Sequence, residues 1–290
     1  MWVYLGLEYF WDTSKRVYIL YLLSALFLSY IFMKKSVSIQ FSKEVLLHPS
    51  AKLDYLYYLS ISFIKICLLI PLLFSVDDVV LWVLLELEES LGYQERVKAS
   101  KLFILLSYSL IVFILNDLSR YLLHRAMHYF GFLWRFHRLH HSAEVLNPLS
   151  FYRVHPLENL LFGLRYALVT GLTMGMFVYY FGAGIHAIEL FGLHIFSFIF
   201  MLLGANLRHS HIPLRFGTGI EKWILSPFQH QLHHSKKHLQ SNFGSTLAIW
   251  DRIFNTLSIK KIEILEFGLP HEKVKHSLVF ALFSSFYKKK

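Results

Sequence analysis

Histidines recur in this sequence at spacings that suit metal binding. Five lie between positions 124 and 141, and three more lie between 230 and 234. Residues three or four positions apart share one face of an α-helix, and neutral imidazole is the commonest nitrogen ligand for transition metals. The spacing therefore predicts three helical clusters of metal ligands: His124 with His128; His137 with His140 and His141; and His230 with His233 and His234.

Two metal ions explain this set better than one. Eight imidazoles exceed the roughly six ligands that a single ion accepts. A lone H-x-x-x-H pair is more often a hydrogen-bonded surface pair, and this is the alternative for His124 and His128 taken alone. Two copies of H-x-x-H-H beside long apolar segments argue against hydrogen-bonded surface pairs as the explanation for the whole set.

The composition is that of an integral membrane protein. Of 290 residues, 55% are hydrophobic and 17% are aromatic, with a mean hydropathy of +0.45. The net charge is +10, and residues 207–290 hold 13 lysines and arginines against 5 acidic residues. This basic region suits a cytoplasmic membrane surface, and the apolar bulk argues against a nucleic-acid partner. The single cysteine, Cys67, excludes disulfides within the chain and thiolate metal sites.

Apolar runs predict how the histidines are positioned. Five runs are predicted to span a membrane, and a shorter, more charged run is predicted to lie along its interface. If the 36–52 loop is cytoplasmic, all three histidine clusters fall on the cytoplasmic side with most arginines, as the positive-inside rule expects. The predicted spans are 17–33, 53–74, 102–123, 166–181 and 187–205, and the interfacial segment is 79–92.

Polar and small residues inside these runs carry further predictions. Lys65 is predicted to face other helices and to find a carboxylate or a carbonyl, because an unpaired charge there is costly. Gly171 and Gly175 form a G-x-x-x-G pattern, which allows close helix packing. Asp117 shares a helical face with His124. It either accepts the ring N–H of a metal-binding histidine or makes a plain hydrogen bond to a tyrosine or to Asn116.

Seven sequence segments resemble the fatty acid hydroxylase and sterol desaturase superfamily. They follow the family's order and spacing over roughly residues 110–257. Two departures are Phe243, where the family usually has tyrosine, and Asn255, where it usually has glycine; both lie outside the histidine clusters. The segments are D-L-S-R-Y-L-L-H-R-A-M-H (117–128), L-W-R-F-H-R-L-H-H-S (133–142), H-P-L-E (155–158), H-S-H-I-P (209–213), P-F-Q-H-Q-L-H-H-S (227–235), N-F-G (242–244) and W-D-R-I-F-N-T (250–256).

The resemblance implies two iron ions, replaceable by zinc in a purified protein, and O2 as co-substrate. Asp117 and Asp251 are candidates for holding ligand rings in place. His155 and His211 are left open, since Pro156 gives His155 a structural alternative and relatives often carry other polar residues at 211. The implied iron ligands are His124, His128, His137, His140, His141, His209, His230, His233 and His234.

The expected fold is all-α, a multi-pass integral membrane helical bundle with a cytoplasmic, histidine-rich helical cap. It comprises N-terminal spans and an interfacial helix (1–101), a hydroxylase-like catalytic domain with a transmembrane hairpin (102–257) and a basic C-terminal tail (258–290). The expected membrane is a bacterial inner membrane or the endoplasmic reticulum, with the active site on the cytoplasmic side.

The expected function is O2-dependent hydroxylation of an unactivated C–H bond in a fatty acyl, sterol or alkyl-lipid substrate. The alternative is C–C desaturation at the same site, and a non-catalytic metal-binding membrane protein ranks below both. The sequence has no His-Pro-Gly-Gly haem motif and no G-x-G-x-x-G motif. We therefore expect an external electron donor, whether cytochrome b5-like, ferredoxin-like or a pterin. Substrate identity and oligomeric state are left open.

Overall fold

The computed structural model describes residues 6–65, 74–190, 193–262, 264–270, 272 and 275–283. The regular structure in this part of the chain is helical, as predicted, apart from an antiparallel pair of two-residue strands, Glu189–Leu190 (β1) and Leu193–His194 (β2). Short 3-10 helices occupy Leu7–Phe10, Pro148–Tyr152, Ala205–His209 and Ile220–Lys222. The α-helices are α1 (Ile19–Phe32), α2 (Lys34–Gln40), α3 (Lys43–Leu46), α4 (Pro49–Ile64), α5 (Val76–Leu91), α6 (Lys101–Tyr129), α7 (Gly131–His141), α8 (Pro156–Phe181), α9 (Ile195–Leu202), α10 (Pro227–His234), α11 (Ile249–Ile253) and α12 (Leu278–Phe283).

Helices α6 and α8 form an antiparallel pair, and both are long and apolar enough to cross a membrane. They contain the runs predicted at 102–123 and 166–181. Polar groups pair between them: the Arg165 guanidinium donates to Ser119 Oγ (2.7 Å) and Asn116 Oδ1 (3.1 Å). The Asn116 amide donates to Thr170 Oγ1 (3.1 Å). Because α6 continues past its apolar run, it carries His124 rigidly beyond that run.

Helix α5 packs along α8 and runs parallel to it, and the interfacial position of residues 79–92 stays a prediction. A Cβ atom added at Gly171 would lie 2.5 Å from Val79 Cβ, and one at Gly175 would lie 2.7 Å from Val83 Cβ. The G-x-x-x-G prediction is therefore confirmed, since both glycines admit the neighbouring helix. This contact buries Val79 and Val83, whereas other apolar residues of α5 stay exposed.

The first N-terminal run forms a shorter helix than predicted. Helix α1 has 14 residues, about 21 Å at 1.5 Å per residue, against a hydrocarbon core of about 30 Å. Helix α4 covers the first part of the 53–74 run, and residues 66–73 lie outside the described residues. Lys65 is described, and its Nζ lies 5.8 Å from the centre of the Tyr152 ring. Among the described residues it has neither the predicted carboxylate nor the predicted carbonyl partner.

The prediction of a membrane-spanning return helix at 187–205 is wrong. This region contains the β1–β2 pair followed by α9, which has only eight residues. Helix α6 holds the extended segment, because the Ile188 amide donates to Ser109 Oγ (2.8 Å) and His194 Nε2 lies 2.9 Å from the Ser109 carbonyl oxygen. Gly204 then ends α9 with a φ of 83°, a left-handed conformation that favours glycine.

A buried ion pair fixes the segment between α7 and α8. Arg153 Nε donates to Asp54 Oδ1 on α4 (2.6 Å), and both side chains are fully buried. The same guanidinium donates to the Ser50 carbonyl oxygen (2.6 Å) and to Ser142 Oγ (3.2 Å) at the end of α7. Through Arg153, helix α4 therefore holds the C-terminal end of α7 in place. Helix α7 carries three of the predicted ligands.

Candidate metal centre

Nine histidines from four helical segments converge into two adjacent groups. Within each group, one ring nitrogen of every member lies within 4.8 Å of the corresponding nitrogens of the others. All nine residues predicted as ligands are therefore brought together. The five-histidine group contains His124, His128, His137, His141 and His233; the four-histidine group contains His140, His209, His230 and His234.

Helices α7 and α10 each contribute to both groups, in opposite senses. In α7 the i,i+4 pair His137 and His141 joins the five-histidine group, whereas His140 joins the four-histidine group. In α10 the i,i+4 pair belongs to the four-histidine group, and His233 joins the five-histidine group. The His141 and His234 rings stack with centroids 4.6 Å apart. The two groups therefore share a wall of imidazoles.

The local sequence explains why α10 begins where it does. Ser226 Oγ accepts from the Gln229 amide, and Gln229 Oε1 accepts from the Ser226 amide (2.9 Å). This is a capping box, and Pro227 occupies the first helical turn, where its missing N–H costs nothing. The start of α10 is therefore well defined, and its three histidines are fixed by helical spacing.

Unshared electron pairs face one another inside the five-histidine group. His124 Nδ1 lies 2.8 Å from the Phe243 carbonyl oxygen, and His233 Nδ1 lies 2.8 Å from the Ser241 carbonyl oxygen. A carbonyl oxygen only accepts, so both Nδ1 atoms carry the proton and both Nε2 atoms are unprotonated. Those Nε2 atoms are 3.1 Å apart, and no hydrogen bond can join them. A cation between them would remove the repulsion.

Glu158 extends this arrangement to His137. Its Oε1 lies 2.8 Å from His137 Nδ1, and both side chains are almost fully buried. The carboxylate fixes the proton on Nδ1 and directs the Nε2 electron pair towards His124 Nε2, 3.1 Å away. This role of Glu158 was not predicted from the sequence. The signal was present, because H-P-L-E places a carboxylate in the first turn of a helix beside the histidine clusters.

The four-histidine group has fewer partners behind its rings. His209 Nδ1 lies 3.1 Å from Ser150 Oγ. The buried Nδ1 atoms of His140 and His230 have no hydrogen-bond partner among the described residues, and the same holds for His128 and His141 in the five-histidine group. On the facing side, His230 Nε2 lies 3.1 Å from the Nε2 atoms of both His209 and His234. This group therefore has the same close nitrogen spacing with less support from outside.

Among the described residues neither Asp117 nor Asp251 contacts a histidine ring, so neither carboxylate holds a ligand ring directly as predicted. Asp117 accepts from the Thr246 and Leu247 amides (2.9 and 3.0 Å) and from the Trp250 indole N–H (2.9 Å). These donors lie more than a hundred residues away in sequence, so helical spacing could not reveal them. Asp117 anchors the 246–250 segment to α6.

Asp251 acts one step further from the histidines. Its carboxylate accepts from the Phe243 and Gly244 amides, each at 2.8 Å. This fixes the N-F-G turn whose Phe243 carbonyl holds His124. A Cβ at Gly244 would lie 2.8 Å from Asp251 Oδ2, so the turn requires glycine. The Phe243 ring packs over His128, with centroids 5.0 Å apart, and covers one side of the five-histidine group.

His155 and His211, the two open candidates, lie outside both groups. His155 Nδ1 accepts from the Leu157 amide (3.1 Å) and caps the N-terminus of α8. His211 Nε2 accepts from the Leu146 amide (3.2 Å). Both residues therefore have structural roles, as the Pro156 neighbour allowed for His155.

Burial favours the neutral form of the imidazoles in the four-histidine group and of His233. Desolvation, reinforced by neighbouring histidines and arginines, lowers the pKa of all four members of the four-histidine group well below its usual value. Burial and His137 lower the pKa of His233 to about 3. Neutral imidazole is the form that binds metal. Converging electron pairs, buried nitrogens without partners and suppressed protonation all fit two metal ions held by these residues.

Comparison with known proteins agrees with this geometry. A family model described as "Fatty acid hydroxylase" matches residues 109–256, slightly more than half of the chain. The chain belongs to the fatty acid hydroxylase family. The matched region includes all nine grouped histidines, together with Glu158, Asp117 and Asp251.

Members of this family with curated names include several lipid oxidoreductases. Alkylglycerol monooxygenase of Xenopus tropicalis is 29% identical over 56% of this chain and 32% of its own length. Ornithine lipid hydroxylase OlsE of Rhizobium tropici is 28% identical over 49% of this chain and 39% of its own. Delta(7)-sterol 5(6)-desaturase of Eremothecium gossypii is 27% identical over 66% of this chain and 50% of its own. The chain thus spans a third to a half of these relatives. No solved structure matches it.

Proposed function

We propose that this fatty acid hydroxylase family member is a membrane-bound, di-iron, O2-dependent lipid hydroxylase. The proposed substrate is a fatty acyl, sterol or alkyl lipid with an unactivated C–H bond. The observation that carries the proposal is the convergence of unprotonated Nε2 atoms 3.1 Å apart inside a buried group of histidines. Two neighbouring groups of this kind suit a pair of redox-active ions.

The proposed ligands are the nine grouped histidines, and their spacing favours iron over structural zinc. With metal–nitrogen bonds of about 2.1 Å, ligands at right angles lie about 3.0 Å apart and tetrahedral ligands about 3.4 Å apart. The Nε2 separations of 3.1 Å are closer to the first value. Five imidazoles also exceed the four ligands of structural zinc sites, and imidazole is a suitable ligand for iron.

Bound iron would supply O2 activation and C–H cleavage, and the chain's own residues would control that chemistry. Glu158 and the Phe243 and Ser241 carbonyls hold three rings in one tautomer, so ligand orientation is set before O2 arrives. Phe243 limits water access to the five-histidine group. Such positioning and water exclusion are the protein's main contributions to chemistry of this kind.

An apolar cavity next to the four-histidine group supports a lipid substrate. Its volume is about 380 Å³. Leu207 and Ser210, two positions before and one position after His209, contribute to its wall, together with leucines of α1 and the 147–149 segment. A cavity of this size accommodates part of an alkyl chain. We propose that the chain enters sideways from the membrane.

The proposal includes a multi-pass arrangement with the histidines on the cytoplasmic side. Helices α6 and α8 are apolar and long enough to span a membrane. In the sequence, the basic region 207–290 comes after the end of α6 that carries His124 and His128. This charge also supports docking of an external electron donor with an acidic surface. Cytochrome b5-like, ferredoxin-like and pterin donors remain the proposed classes.

Desaturation is the second candidate, because one relative is named as a sterol desaturase. The same metal site would serve both reactions, and the products differ by a gain of oxygen or a loss of two hydrogens.

The test is lipid mass spectrometry of cells that express the wild type, His137→Ala or His186→Ala. His137 belongs to the five-histidine group, whereas His186 is exposed and outside both groups. We expect an oxygenated lipid in cells with the wild type and His186→Ala, and none with His137→Ala. Lipids that lack two hydrogens would favour the desaturase. Purified wild type without iron, and inert towards lipid with O2 and reductant supplied, would overturn both candidates.

A further inference from the structure

A small cavity beside the histidines is lined by an unusual number of cationic side chains. Its volume is about 130 Å³, and members of both histidine groups contribute to its wall. The only carboxylate in the wall is Glu158, which already engages His137. The four cations in the wall are Arg16, Lys65, Arg120 and Arg208.

Each of these cations packs against an aromatic ring. Arg16 lies 4.1 Å from the centre of the Phe151 ring, and Arg208 lies 4.4 Å from the centre of the Phe200 ring. Arg120 lies 5.3 Å from the Phe162 ring, and Lys65 contacts Tyr152 as described above. Contacts of this kind hold a cation in place and leave its hydrogen-bond donors available.

None of the four cations forms an ion pair within the part of the chain that the structure describes. Arg208 is 1% exposed. It donates to the Ser245 carbonyl oxygen, and its Nε has no partner among the described residues. Buried cations without counter-ions are costly. Burial is the main reason that the pKa of Arg16 is lowered to about 9, and the nearby Arg120 is the second. This lowered pKa reflects the same free-energy cost of burying a cation.

The metal groups offer no compensating negative charge. All nine of their members are imidazoles, which are neutral as ligands. Metal ions would therefore add positive charge to a region that already holds four cations. A cavity with this excess of positive charge, and with an Arg208 N–H that has no partner among the described residues, suits an anion.

We propose that this cavity binds an anionic oxygen group, phosphate or carboxylate, that belongs to the lipid substrate. Arg16, Arg120 and Arg208 would hold the group through charge-assisted hydrogen bonds, and Lys65 would add a fourth cation. The inference rests on the proposed function and narrows its substrate class. Neutral sterols and neutral alkyl lipids would be poor substrates, because they would leave the four cations without a counter-ion.

The test is calorimetric binding to the full chain, purified in a non-ionic detergent. The probes are dodecyl phosphate, dodecanoate, dodecanol and inorganic phosphate. We expect both anionic probes to bind at least about tenfold tighter than dodecanol, as one or more charged hydrogen bonds would give. We also expect inorganic phosphate to bind more weakly than dodecyl phosphate, because it lacks the alkyl chain.

Three variants locate the binding. Arg208→Gln removes the most buried cation, and Arg16→Gln removes one that is only half-buried and tolerates replacement more easily. Each should weaken dodecyl phosphate binding about tenfold or more. Lys222→Gln, at an exposed position outside the cavity, should bind like the wild type. Metal content and thermal unfolding of each variant show that the fold is retained.

The outcomes separate this inference from the proposed function. Equal binding of dodecanol and dodecyl phosphate, or unchanged binding in both arginine variants, would overturn the anionic site. Equal affinity for inorganic phosphate and dodecyl phosphate would also overturn it, because the ligand would then be a free anion. Oxidation of neutral lipids alone would overturn the inference and leave the lipid hydroxylase standing. Selective binding of anionic lipids by a protein that oxidises no lipid would support the site and remove the hydroxylase.

Discussion

The two histidine groups have the same nitrogen spacing but differ in what holds their rings. In the five-histidine group, three rings have a hydrogen-bond acceptor at Nδ1: two backbone carbonyls and the Glu158 carboxylate. In the four-histidine group only His209 has such a partner, the Ser150 hydroxyl. A hydroxyl is a weaker partner than a carboxylate and can also donate.

This difference indicates that the two proposed metal positions are not equivalent. Partners behind ligand rings raise the basicity of the ring and fix its tautomer. The five-histidine group therefore has more ligands and a more rigid surround, and we expect it to hold its metal more tightly. The four-histidine group has fewer ligands, and we expect its metal to exchange more readily. Four predictions test this contrast, from the largest expected effect to the smallest.

Neighbouring residues of α7 provide the largest test, because His140 and His141 belong to different groups. Replacing a residue that only supports a metal ligand lowers activity by up to about a hundredfold. We therefore expect His140→Ala and His141→Ala, which remove proposed ligands, each to lower lipid oxidation by more than about a hundredfold. Metal content per chain should fall further in His140→Ala, which leaves three ligands, than in His141→Ala, which leaves four. Equal metal loss in the two variants would contradict the proposed inequality.

Metal removal should destabilise the fold. Without a cation, the converging Nε2 electron pairs repel one another. Metal binding to the native state therefore contributes directly to its stability. We expect chelation to lower the free energy of unfolding by about 3–4 kcal/mol, as for a ligand present at 100–1,000 times its Kd. Thermal unfolding before chelation, after it and after return of Fe(II) measures the change. The more weakly held fraction of the metal should leave first, and release in a single phase would argue against the contrast.

Glu158 supports one group only, so its replacement should act selectively. Glu158→Leu keeps a side chain of similar size and removes the acceptor for His137 Nδ1. We expect metal affinity of the five-histidine group to fall about 10–100-fold. Metal titration followed by absorption measures this, and Glu266→Gln, at a largely exposed carboxylate, is the control. An unchanged affinity would show that the Glu158 contact does not support the ligand.

Ser150→Ala should have the smallest effect. It removes one neutral hydrogen bond to His209, worth about 0.5–1.5 kcal/mol. We expect metal affinity of the four-histidine group to fall about 2–10-fold, with Ser38→Ala, on an exposed serine, as the control. A loss larger than that of Glu158→Leu would reverse the ranking of the two groups.

Helical spacing and the family resemblance together predicted the grouped histidines, because i,i+3 and i,i+4 patterns have a definite geometry on a helix. Division into two groups was not predictable, since adjacent residues such as His140 and His141 face different groups. The partners behind the rings were also hidden. Phe243 and Ser241 contribute backbone carbonyls, and these depend on chain path rather than on side-chain type.

Hydropathy predicted the fold unevenly. The apolar runs in α6 and α8 were found because length and hydropathy agree there. The return helix predicted at 187–205 failed because hydropathy does not distinguish a helix from an extended segment held by Ser109. Helical spacing offered Asp117 either a histidine ring or a tyrosine or Asn116 as its partner, whereas its partners lie in the 246–250 segment. Long-range hydrogen bonds of this kind leave no local pattern.

The opposite contributions of α7 and α10 to the two groups have a consequence for metal loading. Neither helix can move without displacing imidazoles on both sides of the shared wall. The first ion to bind therefore orders both helices and brings the vacant position close to its final geometry, so the second ion pays less conformational entropy. We expect an ion in the five-histidine group to raise the affinity of the four-histidine group for its own ion.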